Sequence, residues 1–239
     1  MSHLAQRAQL SVDRAGKVLV VPTRSGLAVH GVGAPGQAPK PRTPGVKVRR
    51  AHPQPPAPWE ELARLTDDAV DEAYGMVAVS PDGRLAARTA NGAVQVVCFD
   101  LERRAVAWRA PLYDTPPGPR GVSSLAFTPW GQLAVLARAS REERDEHALV
   151  LLDAKDGERR WRPAERALSQ ATAVACHPQR EVLVVGTAAG RLGLVALAGE
   201  RLDERPLFRH GGVSALAFGA DGCVVAGSSR GELALLFWQ

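Results

Sequence analysis

The strongest match to a catalytic motif is the run Gly227-Ser-Ser-Arg-Gly231, which satisfies the pattern G-x-S-x-G of serine hydrolases. In a hydrolase this pattern places the serine on a sharp turn between a strand and a helix. Here the run falls in a turn that recurs along the chain, and an apolar run typical of a strand, Leu233-Ala-Leu-Leu236, follows it. We therefore expect Ser229 to lie in a hairpin turn, and we predict no catalytic residue.

Histidine and cysteine side chains could bind a metal, but their spacing does not favour it. The six histidines are scattered, and Cys98, Cys176 and Cys223 show no C-x-x-C spacing. Cys176 and His177 are adjacent, so in a strand their side chains point to opposite faces. We predict that His177 caps a turn, that the cysteines are small apolar side chains in β-strands, and that the protein binds no metal or cofactor.

Basic residues are the better candidates for a binding site. Residues 1–57 contain nine Lys or Arg and one acid, whereas the formal net charge of the whole chain is only +5. A Pro-rich insert at 33–58 lies in this basic part, and a charged loop at 138–147 interrupts a later hairpin. Because such insertions map to surface loops, we predict that partners bind there. The candidate residues are Lys40, Arg42, Lys47, Arg49, Arg50, Arg138, Arg141 and Arg144.

Composition and hydropathy indicate the compartment. Apolar residues make up 45% of the chain, which is enough for a core. No long apolar run follows a basic cluster at the N-terminus, and no apolar stretch approaches the roughly 20 residues that span a bilayer. An odd number of cysteines suits a reducing environment. These features predict a cytoplasmic protein without membrane contact or a small-molecule substrate.

Five copies of one pattern organise the chain. Each copy has an apolar-small-apolar run that leads into a turn, and the turn residues stand at positions 16, 83, 131, 180 and 222. In four copies a glycine follows nine or ten residues later, at 26, 92, 190 and 231. Apolar runs separated by such turns predict antiparallel hairpins. A period of about 40 to 50 residues with three or four short strands is typical of a β-propeller blade.

Two segments resemble known propeller repeats. Ser80-Pro-Asp-Gly-Arg-Leu85, with the later Asn91-Gly92, resembles the turns of the WD40 repeat. Leu152-Asp-Ala-Lys-Asp-Gly-Glu-Arg-Arg-Trp161 is similar to the repeats of quinoprotein-type propellers. The chain therefore resembles a WD40-like propeller, although no copy has the Gly-His pair or the Trp-Asp pair of that family. Small propellers of this kind accompany an AAA-type ATPase and a von Willebrand A-type protein in bacterial gene sets, which implies such partners.

The predicted fold is all-β: a single five-bladed β-propeller of three- to four-stranded blades, with one Pro-rich insert and one short helix. The blades are predicted at about 8–50, 75–112, 121–164, 171–209 and 213–239, with an N-terminal strand at 2–7, the insert at 33–58 and the helix at 58–74.

Two parts of this prediction have alternatives. Leu62, Leu65, Ala69 and Ala73 recur at helical spacing, which favours the helix and leaves Val46-Lys-Val-Arg49 as the outer strand of blade 1. The alternative makes residues 59–65 that outer strand. The last copy has three strands, so residues 2–7 are predicted to supply the fourth and close the ring. Otherwise the exposed sheet edge could be completed by another protein through strand addition.

The function predicted from these features is that of a non-catalytic scaffold, a rigid propeller subunit of a larger bacterial assembly whose partners are other protein subunits. The alternative is a nucleic-acid-binding adaptor that uses the basic N-terminal third. Few aromatic residues lie among the basic ones, which lowers the expectation for single-stranded nucleic acid. A second alternative, implied by the quinoprotein resemblance, is a quinoprotein-like or metal-dependent enzyme.

Overall fold

The computed structural model describes residues 11–12, 18–23, 26–32, 59–66, 75–90, 95–112, 121–138, 147–161, 170–219 and 222–237. Within these ranges the chain forms nineteen β-strands and no helix. The strands make five small antiparallel sheets arranged as a five-bladed β-propeller, which confirms the predicted fold class. No helix in the described part of the chain is long and apolar enough to cross a membrane.

In every blade the strands pair in the order in which they follow along the chain. Blade 1 contains β1 (Ser11–Val12), β2 (Val18–Thr23), β3 (Gly26–Val32) and β4 (Trp59–Thr66). Blade 2 contains β5 (Val77–Val79), β6 (Leu85–Ala90), β7 (Gln95–Asp100) and β8 (Ala105–Pro111). Blade 3 contains β9 (Gly121–Phe127), β10 (Gln132–Arg138), β11 (His147–Asp153) and β12 (Arg159–Trp161). Blade 4 contains β13 (Ala171–Cys176), β14 (Val182–Thr187), β15 (Arg191–Ala196) and β16 (Arg201–Pro206). Blade 5 contains β17 (Val213–Phe218), β18 (Val224–Ser228) and β19 (Leu233–Leu236).

The outer strand of blade 1 corrects the predicted helix at 58–74. Residues 59–66 form β4, which pairs with β3 from Trp59 opposite Val32 to Thr66 opposite Gly26. Leu65 is buried while Thr66 is exposed, so a two-residue period overrides the helical spacing. The alternative interpretation, which made 59–65 the outer strand, is confirmed. β4 occupies the place beside β3 that the helix interpretation gave to residues 46–49. Those residues, like 67–74 and the predicted strand 2–7, lie outside the described residues.

Adjacent residues of one strand serve two different interfaces. In β7, Val97 packs toward blade 1 and Cys98 packs toward blade 3, and both are fully buried. A third cluster joins blade 3 to blade 4. Burial raises the pKa of the Cys98 thiol to about 12, so this cysteine is a buried apolar side chain, as predicted. The sheets are therefore covered on both faces where the chain supplies a neighbouring blade.

Trp108 provides the most specific contact between two blades. Its indole Nε1 donates a hydrogen bond of 2.8 Å to the carbonyl oxygen of Ala154 in the next blade. The ring lies on Gly157, where an added Cβ would stand 2.6 Å from the indole carbon Cε3. A glycine is required here both for this close approach and for its φ of 77°. The outer strand of blade 2 is thus anchored on the turn between β11 and β12.

Hydroxyl side chains shape the inner strands of blades 3 to 5. Ser123, Thr172 and Ser214 are each the extra residue of a β-bulge, and each donates a hydrogen bond to a carbonyl of the second strand of its own blade. Each of these three residues lies two positions before the apolar-small-apolar run of its copy of the repeat. Bulges increase local twist, which helps an inner strand to curve around the axis.

His177 caps the turn between β13 and β14, which confirms the predicted role. Its Nδ1 accepts hydrogen bonds from the backbone amides of Gln179 and Arg180, each 3.0 Å long. Its ring packs against Phe218 of blade 5, with the ring centroids 5.1 Å apart. Burial lowers the pKa of His177, and the charge of Arg180 lowers it further. The neutral imidazole is therefore the form that fits the turn.

We expect this histidine to make stability depend on pH. The folded pKa lies below the unfolded value of 6.5, so its contribution is complete above pH 6.5 and is lost as the pH falls through the folded pKa. His177→Ser should retain the cap, because Ser80 caps the equivalent turn of blade 2. Between pH 7.5 and pH 5, the free energy of unfolding of this variant should fall by less than that of the wild type. Urea denaturation at both pH values measures this difference. The exposed His210→Ser is the control, and equal losses in all three proteins would contradict the prediction.

Arg104 occupies a left-handed turn position that favours glycine. Its φ is 55°, and the equivalent residue of blade 3, Gly157, has a φ of 77°. Arg104→Gly should raise the free energy of unfolding by roughly 0.5 kcal/mol, because relief of the backbone strain exceeds the added chain entropy of glycine. Glu102→Gly, in the same turn but without positive φ, should lower it instead. Chemical denaturation of the two variants and the wild type tests the expected order, and a destabilised Arg104→Gly protein would refute it.

Candidate functional site

The propeller has two faces formed by the ends of its strands. Face A carries the turns between first and second strands and between third and fourth strands, at 80–84, 101–104, 128–131 and 154–158. Face B carries the turns between second and third strands and the connections between blades, such as 188–190 and 207–212. Ser124 of β9 bonds to Val174 of β13, and Cys176 approaches Ala126, so neighbouring inner strands run parallel. The blades therefore all present the same loops on the same face.

The predicted binding residues are attached to opposite faces. Lys40, Arg42, Lys47, Arg49 and Arg50 belong to the connection between β3 and β4, whose described ends lie at face A. Arg138 ends β10, and the chain leaves that strand at face B. Except for the backbone of Arg138, these residues, including Arg141 and Arg144, lie outside the described residues. The described strands that lead into these two segments therefore end at opposite faces of the propeller.

A groove on face A lies between blades 2 and 3. Its volume is about 810 Å³. The start of β8 supplies an apolar wall of Ala105 and Ala107, while the Val106 side chain packs toward blade 1, and Trp130 stands on the side of blade 3. Charged groups of both signs also line the groove: Asp82, Arg84, Asp100, Glu102, Arg103, Asp153 and Lys155. The groove combines an apolar wall, an indole and charged side chains, which is a composition suited to binding a polypeptide.

The aspartates of the groove hold its turns in place. Asp82 Oδ1 accepts hydrogen bonds from the Ser80 hydroxyl, at 2.6 Å, and from the Arg84 amide, at 3.1 Å. Asp100 and Asp153 accept equivalent bonds, each 2.8 Å long, from the amides of Arg103 and Lys155. These carboxylates therefore fix the backbone on which the groove is built.

The protonation of two of these carboxylates is set by the same contacts. Burial acts to raise the pKa of Asp82, but the hydrogen bonds from Ser80 and Arg84 outweigh it, and the pKa lies below its ordinary value. The hydrogen bond from Arg160 lowers the pKa of Asp153. A carboxylate with a lowered pKa is a poor general acid or base near neutral pH. The chemistry of Asp82 and Asp153 therefore favours a fixed charged surface.

Trp130 is a binding candidate that the sequence alone did not single out. Its side chain is 38% exposed, although large aromatic residues usually avoid exposed turns. The repeat alignment contains a signal for it, because Trp130 precedes turn residue 131, where Asp82 precedes turn residue 83 and Gln179 precedes turn residue 180. Trp130 thus places an exposed indole where blades 2 and 4 carry a polar side chain.

The other chemical candidates are accounted for by the turns. Ser229 lies in the turn between β18 and β19, and its hydroxyl accepts a hydrogen bond of 3.1 Å from the Gly212 amide. This confirms its predicted place in a hairpin turn. Among the described residues, no group of three or more His, Cys, Asp or Glu side chains is arranged to hold a metal ion.

Comparison with known proteins identifies the family. The family model described as outer membrane protein assembly factor BamB matches residues 54–236, about three quarters of the chain. No curated protein matches the chain. The match runs from the insert through β4 to the end of β19, and it includes the segment 152–161 that is similar to quinoprotein-type repeats. The chain therefore belongs to the quinoprotein-type repeat family described as outer membrane protein assembly factor BamB.

Proposed function

We propose that this protein is a non-catalytic interaction scaffold that binds an extended segment of a partner protein in the groove of face A. The observation that carries this proposal is the exposed Trp130 beside a groove whose turns are fixed by aspartates. Tryptophan is the residue that most often contributes a large share of binding energy at protein interfaces. The groove binds through preformed side chains, since the turns that carry them are held by hydrogen bonds.

The lining of the groove supports a polypeptide partner with both apolar and charged residues. Ala105 and Ala107 offer an apolar wall, while Lys155 and Glu102 provide charges of opposite sign at its border. An extended segment can place alternate side chains toward the wall and toward the charged groups. The mixed charges favour specificity for a matching segment over general attraction to polyanions.

The family description supports a role in an assembly, because it names an assembly factor. The partners in this proposal are other protein subunits of a bacterial complex. An AAA-type ATPase or a von Willebrand A-type protein remains the predicted partner, and the cytoplasm remains the predicted location. The proteins that co-purify with the chain test the predicted partner, and the compartment of those proteins tests the predicted location.

Substitution of Trp130 provides the test. Tagged wild-type protein and Trp130→Ala are expressed in the native organism, and co-purifying proteins are quantified by mass spectrometry. Loss of an interface tryptophan removes about 2 kcal/mol or more, so the main partner should be depleted at least about tenfold from the Trp130→Ala sample. Lys155→Glu should also weaken recovery, because it reverses a charge at the border of the groove.

Leu202→Ala is the matched control, since Leu202 is also an exposed apolar residue but lies on β16, away from the groove. The Leu202→Ala protein should recover the same amount of the partner as the wild type does. Equal recovery with wild-type, Trp130→Ala and Leu202→Ala proteins would show that the groove is not the binding surface. Absence of any stoichiometric partner from the wild-type sample would refute the scaffold role.

A further inference from the structure

Three loops meet on face B at the junction of blades 4 and 5, namely 188–190, 207–212 and 228–231. The amides of Leu207 and Phe208 donate hydrogen bonds to the carbonyl of Gly190, at 2.9 and 3.0 Å. On the other side, the amide of Ser229 donates a hydrogen bond of 2.8 Å to the carbonyl of Gly212. Backbone hydrogen bonds therefore join the three loops into one piece of surface, which we call the 4–5 corner.

Glycines permit the close packing of the 4–5 corner. A Cβ added to Gly190 would stand 2.6 Å from the carbonyl oxygen of Phe208. Gly211 has a φ of 86°, and a Cβ added there would stand 2.9 Å from the hydroxyl oxygen of Ser229. Contacts this short and a positive φ both require glycine. The hydroxyl of Ser229 is thus held directly against the backbone of the connection 207–212.

Backbone amides in this connection have no acceptor in the protein. Within the described part of the chain, the amides of Arg209, His210 and Gly211 donate no hydrogen bond. The next amide, of Gly212, donates to Ser229 Oγ at 3.1 Å, and the Ser229 hydroxyl itself has no acceptor among the described residues. A residue of negative φ followed by one of positive φ turns successive amides toward an anion, and His210 and Gly211 form such a pair.

Cationic side chains surround these amides. Arg209, His210 and Arg230 are all exposed. The stem of Arg230 lies over the connection, since its Cγ would stand 3.0 Å from a Cβ on Gly211. Among the described residues, neither Arg209 nor Arg230 has an ion pair. Two guanidinium groups at the 4–5 corner therefore have no carboxylate partner.

The acidic residues nearby do not neutralise the 4–5 corner. The carboxylate of Glu232, just beyond the turn 228–231, accepts a hydrogen bond of 3.3 Å from the hydroxyl of Ser228. It offsets at most one of the two guanidinium charges. Elsewhere in blade 4 the arginines are paired, as Arg205 is with Asp203 at 2.7 Å. The 4–5 corner thus keeps a positive charge that its own surroundings leave unmatched.

We propose that the 4–5 corner binds a phosphate group, either as free phosphate or as the phosphomonoester of a small molecule. The guanidinium groups of Arg209 and Arg230 match the charge of the dianion and can each donate two parallel hydrogen bonds to its oxygens. The amides of His210 and Gly211 and the hydroxyl of Ser229 supply neutral donors for the remaining oxygen. The run that satisfies G-x-S-x-G then contributes two donors, and its serine attacks nothing.

This site does not depend on the groove of face A. The groove lies between blades 2 and 3 at the opposite ends of the strands, so each site can exist without the other. The donors of the 4–5 corner are exposed, and dissolved salt weakens the attraction between exposed charges. We therefore expect a dissociation constant of about 1 mM for phosphate at low ionic strength.

Nuclear magnetic resonance of the ¹⁵N-labelled full chain tests the proposal. Inorganic phosphate is added up to about 50 mM, with sodium chloride reduced in step so that the ionic strength stays constant. The amide signals of His210 and Gly211 should shift and saturate. Arg230→Gln should raise the dissociation constant roughly tenfold, because it removes a charged donor. The spectra of the variants also verify that the fold is kept.

Arg201→Gln is the matched control, since it removes the same charge from blade 4 at the face A start of β16. Its dissociation constant should equal that of the wild type. Absence of a saturable shift at His210 and Gly211 would overturn the proposal. An equal loss of affinity in Arg201→Gln and Arg230→Gln would overturn it as well, because general electrostatic attraction would then explain the binding. Glycerol 3-phosphate in a parallel titration distinguishes the sources: tighter binding than phosphate identifies a phosphomonoester, and weaker binding identifies the free ion.

Discussion

The need to cover both faces of every small sheet determines this structure. A sheet of three or four short strands cannot bury enough apolar surface by itself. Each blade here has apolar side chains on both faces, as Val97 and Cys98 of β7 illustrate. The blades must therefore stack around an axis, and the stack is stable where each blade has a neighbour on either side. Blade 5 departs from this condition among the described residues, because Leu233, Leu235 and Phe237 on one of its faces are exposed.

The junctions between blades differ in how they are made. Blades 2 and 3 are joined by the indole of Trp108, a large apolar cluster and a hydrogen bond of 2.8 Å from Arg159 to the carbonyl of Leu112. Blades 4 and 5 approach more closely through small residues: a Cβ on Gly186 would stand 2.3 Å from Cγ1 of Val213. A large side chain anchors one junction, and the absence of a side chain permits the other. The groove of face A lies at the first of these junctions.

The sequence predicted the fold from the residues that repeat. Turn residues such as Gly83 and Gly131 adopt positive φ, and His177 caps the turn whose copy carries Arg180 in place of glycine. The helix predicted over 58–74 is wrong over 59–66, because apolar residues at helical spacing also fit an outer strand that is buried on one side. In β4, pairing with β3 determines the conformation, and local spacing does not reveal that pairing.

The candidate sites could be predicted less well, because exposure depends on tertiary neighbours. The sequence directed attention to basic insertions, which stand out by composition. Trp130 and Leu235 do not stand out, since an aromatic or aliphatic residue in a β protein is usually buried. The difference between Trp130 and its counterparts becomes visible only when the repeats are aligned at the turn. Leu235 follows the pattern of its counterparts, and its 59% exposure is not visible in the sequence.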